Sequence, residues 1–220
     1  MAAKVRRLLP MVRGEEDDDP ERTPILDAAF NAFLDFGVKR TSMGEIARRV
    51  RLSPATLYRR FAAKSDLIQA VGLREVRRFL ADVDRRIDQT ADADEQIIDL
   101  YVGMTTGLHR HRLLRRIIDT EPDMVLPKLT TEGFPVIELG RDYLVEFIRR
   151  LQHEGKLPAY DPEPFAEVLA RAALTLALTP QTSVPLQNDD AARQFVRAHI
   201  LPAFGLAGAL SANRRSTGTA

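Results

Sequence analysis

Apolar residues return at helical spacing along most of the chain. Leu26, Ala29, Phe30 and Phe33 recur three and four residues apart. Thr23-Pro24 ahead of them reads as an N-cap followed by proline at the first helical position, and Gly37 supplies a stop. A second helix should begin at Ser42-Met43-Gly44-Glu45, a capping box, and bury Met43, Ile46 and Val50. A third begins at Ser53-Pro54 and turns Leu57 and Phe61 inward. A longer helix is expected from about Ser65 to Gln89, with Ile68, Val71, Val76, Phe79, Val83 and Ile87 on one face. Gly155, Pro158, Pro162, Pro180 and Pro185 punctuate the rest, separating helices expected near 94–109, 111–119, 123–131, 135–154, 162–179 and 189–210. No run alternates long enough for a strand, so the fold class is all-α.

Residues 42–61 form the informative unit. Two capped helices flank the tight connection Arg51-Leu52, and helix 24–36 covers their inner stripes. This is the three-helix arrangement of a helix-turn-helix, whose second motif helix enters the major groove of DNA. With Leu57 placed inward, a step of about 100° per residue puts Phe61 about 40° away and Ala55 and Arg59 roughly opposite. Thr56 and Tyr58 flank that outer face, and Arg60 lies nearer the core edge. Arg59 is then suited to a guanine edge and Ala55 to a thymine methyl. Thr56, Tyr58, Arg60 and Lys64, with the helix N-termini at Ser42 and Ser53, suit phosphates.

Charge strengthens this picture. The 220-residue chain has a net charge of only +1, yet residues 22–64 hold nine cations against three anions. A basic segment on an acidic remainder suggests that one end meets a polyanion. Residues 1–21 read as a tail, basic through Arg13 and acidic from Glu15 to Asp19. The absence of cysteine excludes disulfides, zinc–thiolate sites and cysteine nucleophiles. No apolar segment follows Lys4, Arg6 and Arg7 as a signal peptide requires, and the longest apolar stretch, Val168 to Leu178, is too short to span a bilayer. The expected location is cytoplasmic, on the nucleoid through DNA. Among His109, His111, His153 and His199 there is no metal-ligand spacing, no glycine-rich phosphate loop appears, and no Ser/His/Asp arrangement is readable. Neither an enzyme nor a metal or cofactor is expected.

Residues Thr23 to Leu67 resemble the N-terminal domain of the TetR family of repressors. The matching stretches are ILDAAFNAFLDFGVKRTSMGEIARRV and RLSPATLYRRFAAKSDL, about a fifth of the chain. The resemblance implies an all-α dimer whose fourth helix joins the DNA-binding domain to a variable ligand-binding domain. There, ligand binding shifts the separation of the recognition helices and releases the operator. It also implies backbone contacts from Thr41, Ser42, Ser53, Thr56, Tyr58 and Lys64, with Pro54, Ala55 and Arg59 nearest the bases. Arg40 and Arg51 join the expected DNA set. Arg51 stands where the family usually has glycine, at a cost of about 1–2 kcal/mol if the position is left-handed.

The organisation expected is a flexible tail at 1–21, a DNA-binding domain at 22–66, a helical ligand-binding and dimerisation domain at 67–212 and a tail at 213–220. Helix 162–179 is apolar round most of its circumference and helix 135–154 carries a second stripe. Tyr143, Phe147, Leu151, Val168, Leu169, Ala172 and Leu176 are therefore expected at a four-helix dimer interface, as in the family, with the domain's own core as the alternative. Leu100, Met104, Leu108, Ile118, Met124, Phe134 and Ile137 are candidate lining for an apolar pocket. Arg110, His111, Arg112, Arg115 and Arg116 form a basic cluster able to meet an anionic head group, or simply a solvated surface. The expected function is a ligand-responsive transcriptional regulator, a repressor, acting as a homodimer on a pseudo-palindromic double-stranded operator and released by a small, largely apolar effector. The alternatives are a small-molecule sensor or interaction protein without specific DNA binding, and an architectural DNA binder without an effector.

Overall fold

The computed structural model describes residues 21–179 and 181–204, and its regular structure there is helical. The helices are α1 (Thr23–Phe36), α2 (Met43–Arg49), α3 (Pro54–Arg60), α4 (Lys64–Arg86), α5 (Ala93–Arg110), α6 (Arg112–Thr120), α7 (Pro122–Leu129), α8 (Phe134–His153), α9 (Glu163–Leu178) and α10 (Asp189–Phe195). A π-helical turn, Val196–Ile200, follows α10. The expected tails, Pro180 and the end of the last helix toward residue 210 lie outside the described residues. No described helix is long and apolar enough to cross a membrane.

The chain divides into two compact units. The first takes the described part of Met1–Leu80 together with His111–Glu132. The second takes Ala81–Arg110 and the described part of Gly133–Ala220. Packing thus draws the division differently from the expected boundary at residue 66: α6 and α7, expected in the body, belong with the helix-turn-helix. Leu113 of α6 lies in the same core as Ile25, Leu26, Phe33, Ile46, Leu57, Phe61 and Leu67, with Ile117 and Met124 packed against it. Arg116 Nε also donates to the Leu34 carbonyl at 3.1 Å, occupying an acceptor that the end of α1 leaves open.

In the second unit α5 is buried on nearly every side, from Gln96 through Thr106 apart from half-buried Asp99. Its polar groups are satisfied locally. Thr105 and Thr106 donate to the carbonyls four residues back, each at 2.7 Å, and Gln96 Nε2 donates to the Ala91 carbonyl at 2.8 Å. α9 packs on α8 and α5. α10 is tied to α5 by Arg193, which meets Asp99 at 2.5 Å and Glu95 at 2.6 Å.

Candidate nucleic-acid interface

α2 and α3 are only seven residues each, too short to persist alone, and both start from a serine cap. Ser42 Oγ accepts from the Glu45 N–H and Ser53 Oγ from the Thr56 N–H, each at 3.1 Å. Of the capping box anticipated at Ser42 this gives the first bond, and the Glu45 side chain turns to the arginines instead of back to the Ser42 N–H. The Glu45 carboxylate accepts from Arg48 and from Arg49 Nε at 3.1 Å, and hydrogen bonds from Arg48 first, then Arg49, hold its pKa below the usual carboxylate value. α1 differs from the sequence reading: its cap is Arg22, already in helical conformation and without a side-chain capping bond, so Thr23 is the first helical residue.

Arg51 has φ +57°, the one positive value on a non-glycine among the described residues. Its N–H donates to the Arg48 carbonyl at 3.2 Å and the Leu52 N–H to the Ala47 carbonyl at 2.9 Å. These two bonds are the Schellman closure of a helix, which places the residue after the cap in the left-handed region. The turn therefore keeps glycine geometry with arginine in it.

α3 presents the expected faces. Leu57 is fully buried, while Pro54, Ala55, Tyr58 and Arg59 are exposed and Thr56 and Arg60 half-buried. Among the described residues, Arg40, Arg51 and Arg59 are exposed and enter no ion pair. Other cations in the segment are engaged. Arg49 binds Asp35 at 2.9 Å and lies over the Phe36 ring. Arg60 pairs with Glu21, and Lys64 Nζ donates to the Lys39 carbonyl at 3.1 Å.

Residues 25–71 match the model for bacterial regulatory proteins of the tetR family. The HTH-type transcriptional regulator UidR of Escherichia coli K12 is 27% identical over 183 residues, 82% of this chain and 88% of its own length. The matched segment, residues 25–71, is a tetR-type DNA-binding domain. Solved structures share the chain's fold: GusR of Salmonella enterica, at 22% identity and TM-score 0.58, aligns over 83% of this chain and 96% of its own. The TetR-family repressor AlkX from a Dietzia species, at 22% and 0.57, aligns over 84% and 97%. The family is one of transcriptional regulators, not enzymes.

Within this TetR-type unit one expected DNA residue is misplaced. Thr41 is buried, and its hydroxyl donates toward the Gly37 carbonyl at 2.7 Å and the Ala32 carbonyl at 3.1 Å. It shapes the loop before α2 instead of facing outward. Sequence reasoning missed the groups that hold this loop from a distance. Glu121 accepts from the Lys39 N–H, and Asp123 pairs with Lys39 Nζ. The helices expected near 111–119 and 123–131 left a gap here, but nothing local named a partner 82 residues away.

The expected pocket lining is not brought together as a set. Ile118 and Met124 belong to the first unit, where Met124 packs on the helix-turn-helix core. In the second unit Leu100, Met104 and Ile137 are buried, Leu108 is half-buried and Phe134 is 55% exposed. A cleft of about 170 Å³ in that unit is lined by different residues, Arg86, Asp99, Val102, Asp189 and Arg193. The basic cluster also disperses. Arg110 donates to the Gln187 carbonyl at 3.0 Å and Arg116 serves α1, while His111 caps α6 by accepting the Leu114 N–H at Nδ1, 3.2 Å away.

The expected dimer set needs a similar correction. Tyr143, Phe147, Leu151 and Leu169 are buried within the chain's own second unit, and the Tyr143 hydroxyl donates to Asp84 at 2.5 Å. Apolar spacing shows that a face is buried, not what buries it. Val168 is 62% exposed, and Ala172 and Leu176, four and eight residues on, are half-buried.

Proposed function

We propose that the protein is a ligand-responsive transcriptional repressor that binds a pseudo-palindromic operator as a homodimer and leaves it when a small, largely apolar effector binds. The observation that carries this reading is the outer face of α3, where exposed Ala55, Tyr58 and Arg59 stand opposite buried Leu57. In this reading Arg59 bonds a guanine edge and Ala55, with Pro54 beside it, meets the bases. Arg40, Arg51, Thr56, Tyr58 and Arg60 hold phosphates, together with the N-termini at Ser42 and Ser53. Lys64 joins them, because an ammonium has three donors and the Lys39 carbonyl takes one.

The dimer forms through α9, with the outward stripe Val168, Ala172 and Leu176 meeting its copy. Two-fold symmetry then asks for half-sites about 34–36 Å apart or a multiple of that. The apolar side chains that α5 buries, Leu100 and Met104 among them, favour an apolar effector. Selection of genomic fragments by the purified protein, with sequencing of bound DNA near physiological salt, tests the reading. Enrichment of one inverted repeat is expected. A folded, dimeric protein that enriches none is a sensor without specific DNA binding, or an architectural binder, and this reading fails.

A further inference from the structure

Glu121 stands where α6 ends and α7 begins. Proline disfavours helical geometry in the residue before it, and Glu121, followed by Pro122, sits at φ −140° and ψ 50°. That break carries its side chain to the loop between α1 and α2. The carboxylate is more than nine-tenths buried and accepts the Lys39 N–H on both oxygens, each 3.1 Å away. Gly37 is what admits it. A Cβ there would lie 2.2 Å from Glu121 Oε1, and the φ of +84° is one that side chains rarely tolerate.

The same peptide is held from its other end, where the Lys39 carbonyl accepts from Lys64. Lys39 Nζ pairs with Asp123, whose carboxyl that hydrogen bond holds below its usual pKa. The loop Gly37–Ser42 is thus gripped by residues from α4, from the α6–α7 break and, through Thr41, from α1. It presents Arg40 and delivers the Ser42 cap of α2. The connectivity gives this grip its interest. Residues 111–132 pack in the first unit, yet Arg110 before them and Gly133 after them belong to the second.

We propose that Glu121 is a positioning residue for DNA binding. Its carboxylate holds the Gly37–Ser42 loop in the conformation that meets phosphate, so operator affinity depends on how residues 111–132 are seated. This excursion gives the second unit a covalent lead to the loop that does not run through α4. The inference rests on the DNA-binding reading above.

The test uses the full chain. The parent is first shown to enrich and bind an inverted repeat; if it does not, the regulator reading fails and this one with it. Glu121→Gln keeps the side-chain size but offers one acceptor oxygen and no charge, Glu121→Ala removes the grip, and Gly37→Ala displaces the carboxylate. In the variants that remain helical and dimeric, operator affinity is expected to fall about tenfold or more, the order of losing a hydrogen bond to a charged group. Hydrogen exchange at the Lys39 amide should quicken in parallel. Asp123→Ala, which removes only an exposed ion pair, should change affinity by less than about twofold. Loss should not accumulate in the Glu121→Ala, Gly37→Ala double variant, since both remove one interaction. Folded Glu121→Gln that binds the operator like the parent, with Lys39 still protected, overturns the proposal. So does a lowered melting temperature with unchanged affinity, which would leave Glu121 a purely structural role. If Glu121→Ala does not fold, Glu121→Gln and the Lys39 exchange rate decide.

Discussion

The short helices α2 and α3 of the first unit and the long helices of the second are built by different means. In the first, α2 and α3 have seven residues each and open on serine caps, and a Schellman turn closes α2. In the second, α5, α8 and α9 have 18, 20 and 16 residues. α8 and α9 begin at Gly133 and Pro162 without a side-chain capping bond. Short helices gain little from propagation and depend on end groups, whereas long ones are stabilised by the faces they bury. The α2–α3 pair therefore holds its helices in place with signals written beside them in the chain, although α1 of the same unit has no side-chain cap. The long helices of the second unit rely on which apolar face finds which neighbour, although the short α10 there opens on a side-chain cap, Asn188. A surface that must present a few side chains to DNA in fixed register suits the first kind of construction.

The contrast can be broken most forcefully at the outward stripe of the second unit. Val168→Glu is expected to weaken dimerisation on the order of a hundredfold, about 3 kcal/mol, because a carboxylate would be buried unpaired at the interface. Sedimentation at graded concentrations reads this out, and Tyr143→Phe, altered inside the chain's own core, should leave the dimer intact. A Val168→Glu protein that stays dimeric at all concentrations would remove α9 from the interface.

In the first unit the decisive change is Arg59→Ala. Discrimination between the operator and a site altered at one guanine should drop by about 1–3 kcal/mol, with weaker effects on unrelated DNA. Equal losses on every sequence would make Arg59 a phosphate contact instead. A smaller effect is expected at the turn. Arg51→Gly relieves a left-handed arginine and should raise the melting temperature by about 2–4 °C, a gain of about 1 kcal/mol reduced by the greater freedom of unfolded glycine. The same change should lower operator affinity and flatten its salt dependence by about one phosphate contact. Stability up and affinity down together would separate the backbone role of this residue from its charge.

The smallest effect concerns pH. Burial first of all lowers the His111 pKa from 6.5, against the opposing influence of Glu75, and its neutral Nδ1 accepts the Leu114 N–H. The unfolded chain then binds the extra proton more readily, so His111 contributes stability above about pH 6.5 that is lost as pH falls toward its folded value. His111→Asn, which retains a capping oxygen, should flatten melting temperature against pH across that window. An unchanged slope would show that other groups set it.

Much of the first unit was legible from local pattern. Helix starts at Ser42 and Ser53, the inward Leu57 and the outward Ala55 and Arg59 all follow from neighbours within a few residues, whereas the left-handed position at Arg51 was suggested only by the family resemblance. Thr41 was misread because its hydroxyl is a donor that either a phosphate or a nearby carbonyl can use, and only the fold of the loop turned it inward. Ile118 and Met124 were assigned to a pocket because methionine and isoleucine declare burial without naming a partner. Tyr143, Phe147, Leu151 and Leu169 were placed between subunits for the same reason, and they lie inside one chain.

The sequence by itself determined the helical class, the helix limits to within a few residues, the turn chemistry of α2–α3 and the sign of the charge around it. Caps, prolines, glycines and apolar periodicity act over one or two turns of chain, so they can be read there. The tertiary structure alone decided that residues 111–132 join the DNA-binding unit, that Glu121 reaches the Lys39 amide and that α8 keeps most of its apolar face for its own chain. These outcomes depend on contacts between segments tens of residues apart, for which burial is specified by hydrophobicity but the partner only by shape and by the donors and acceptors that packing brings together.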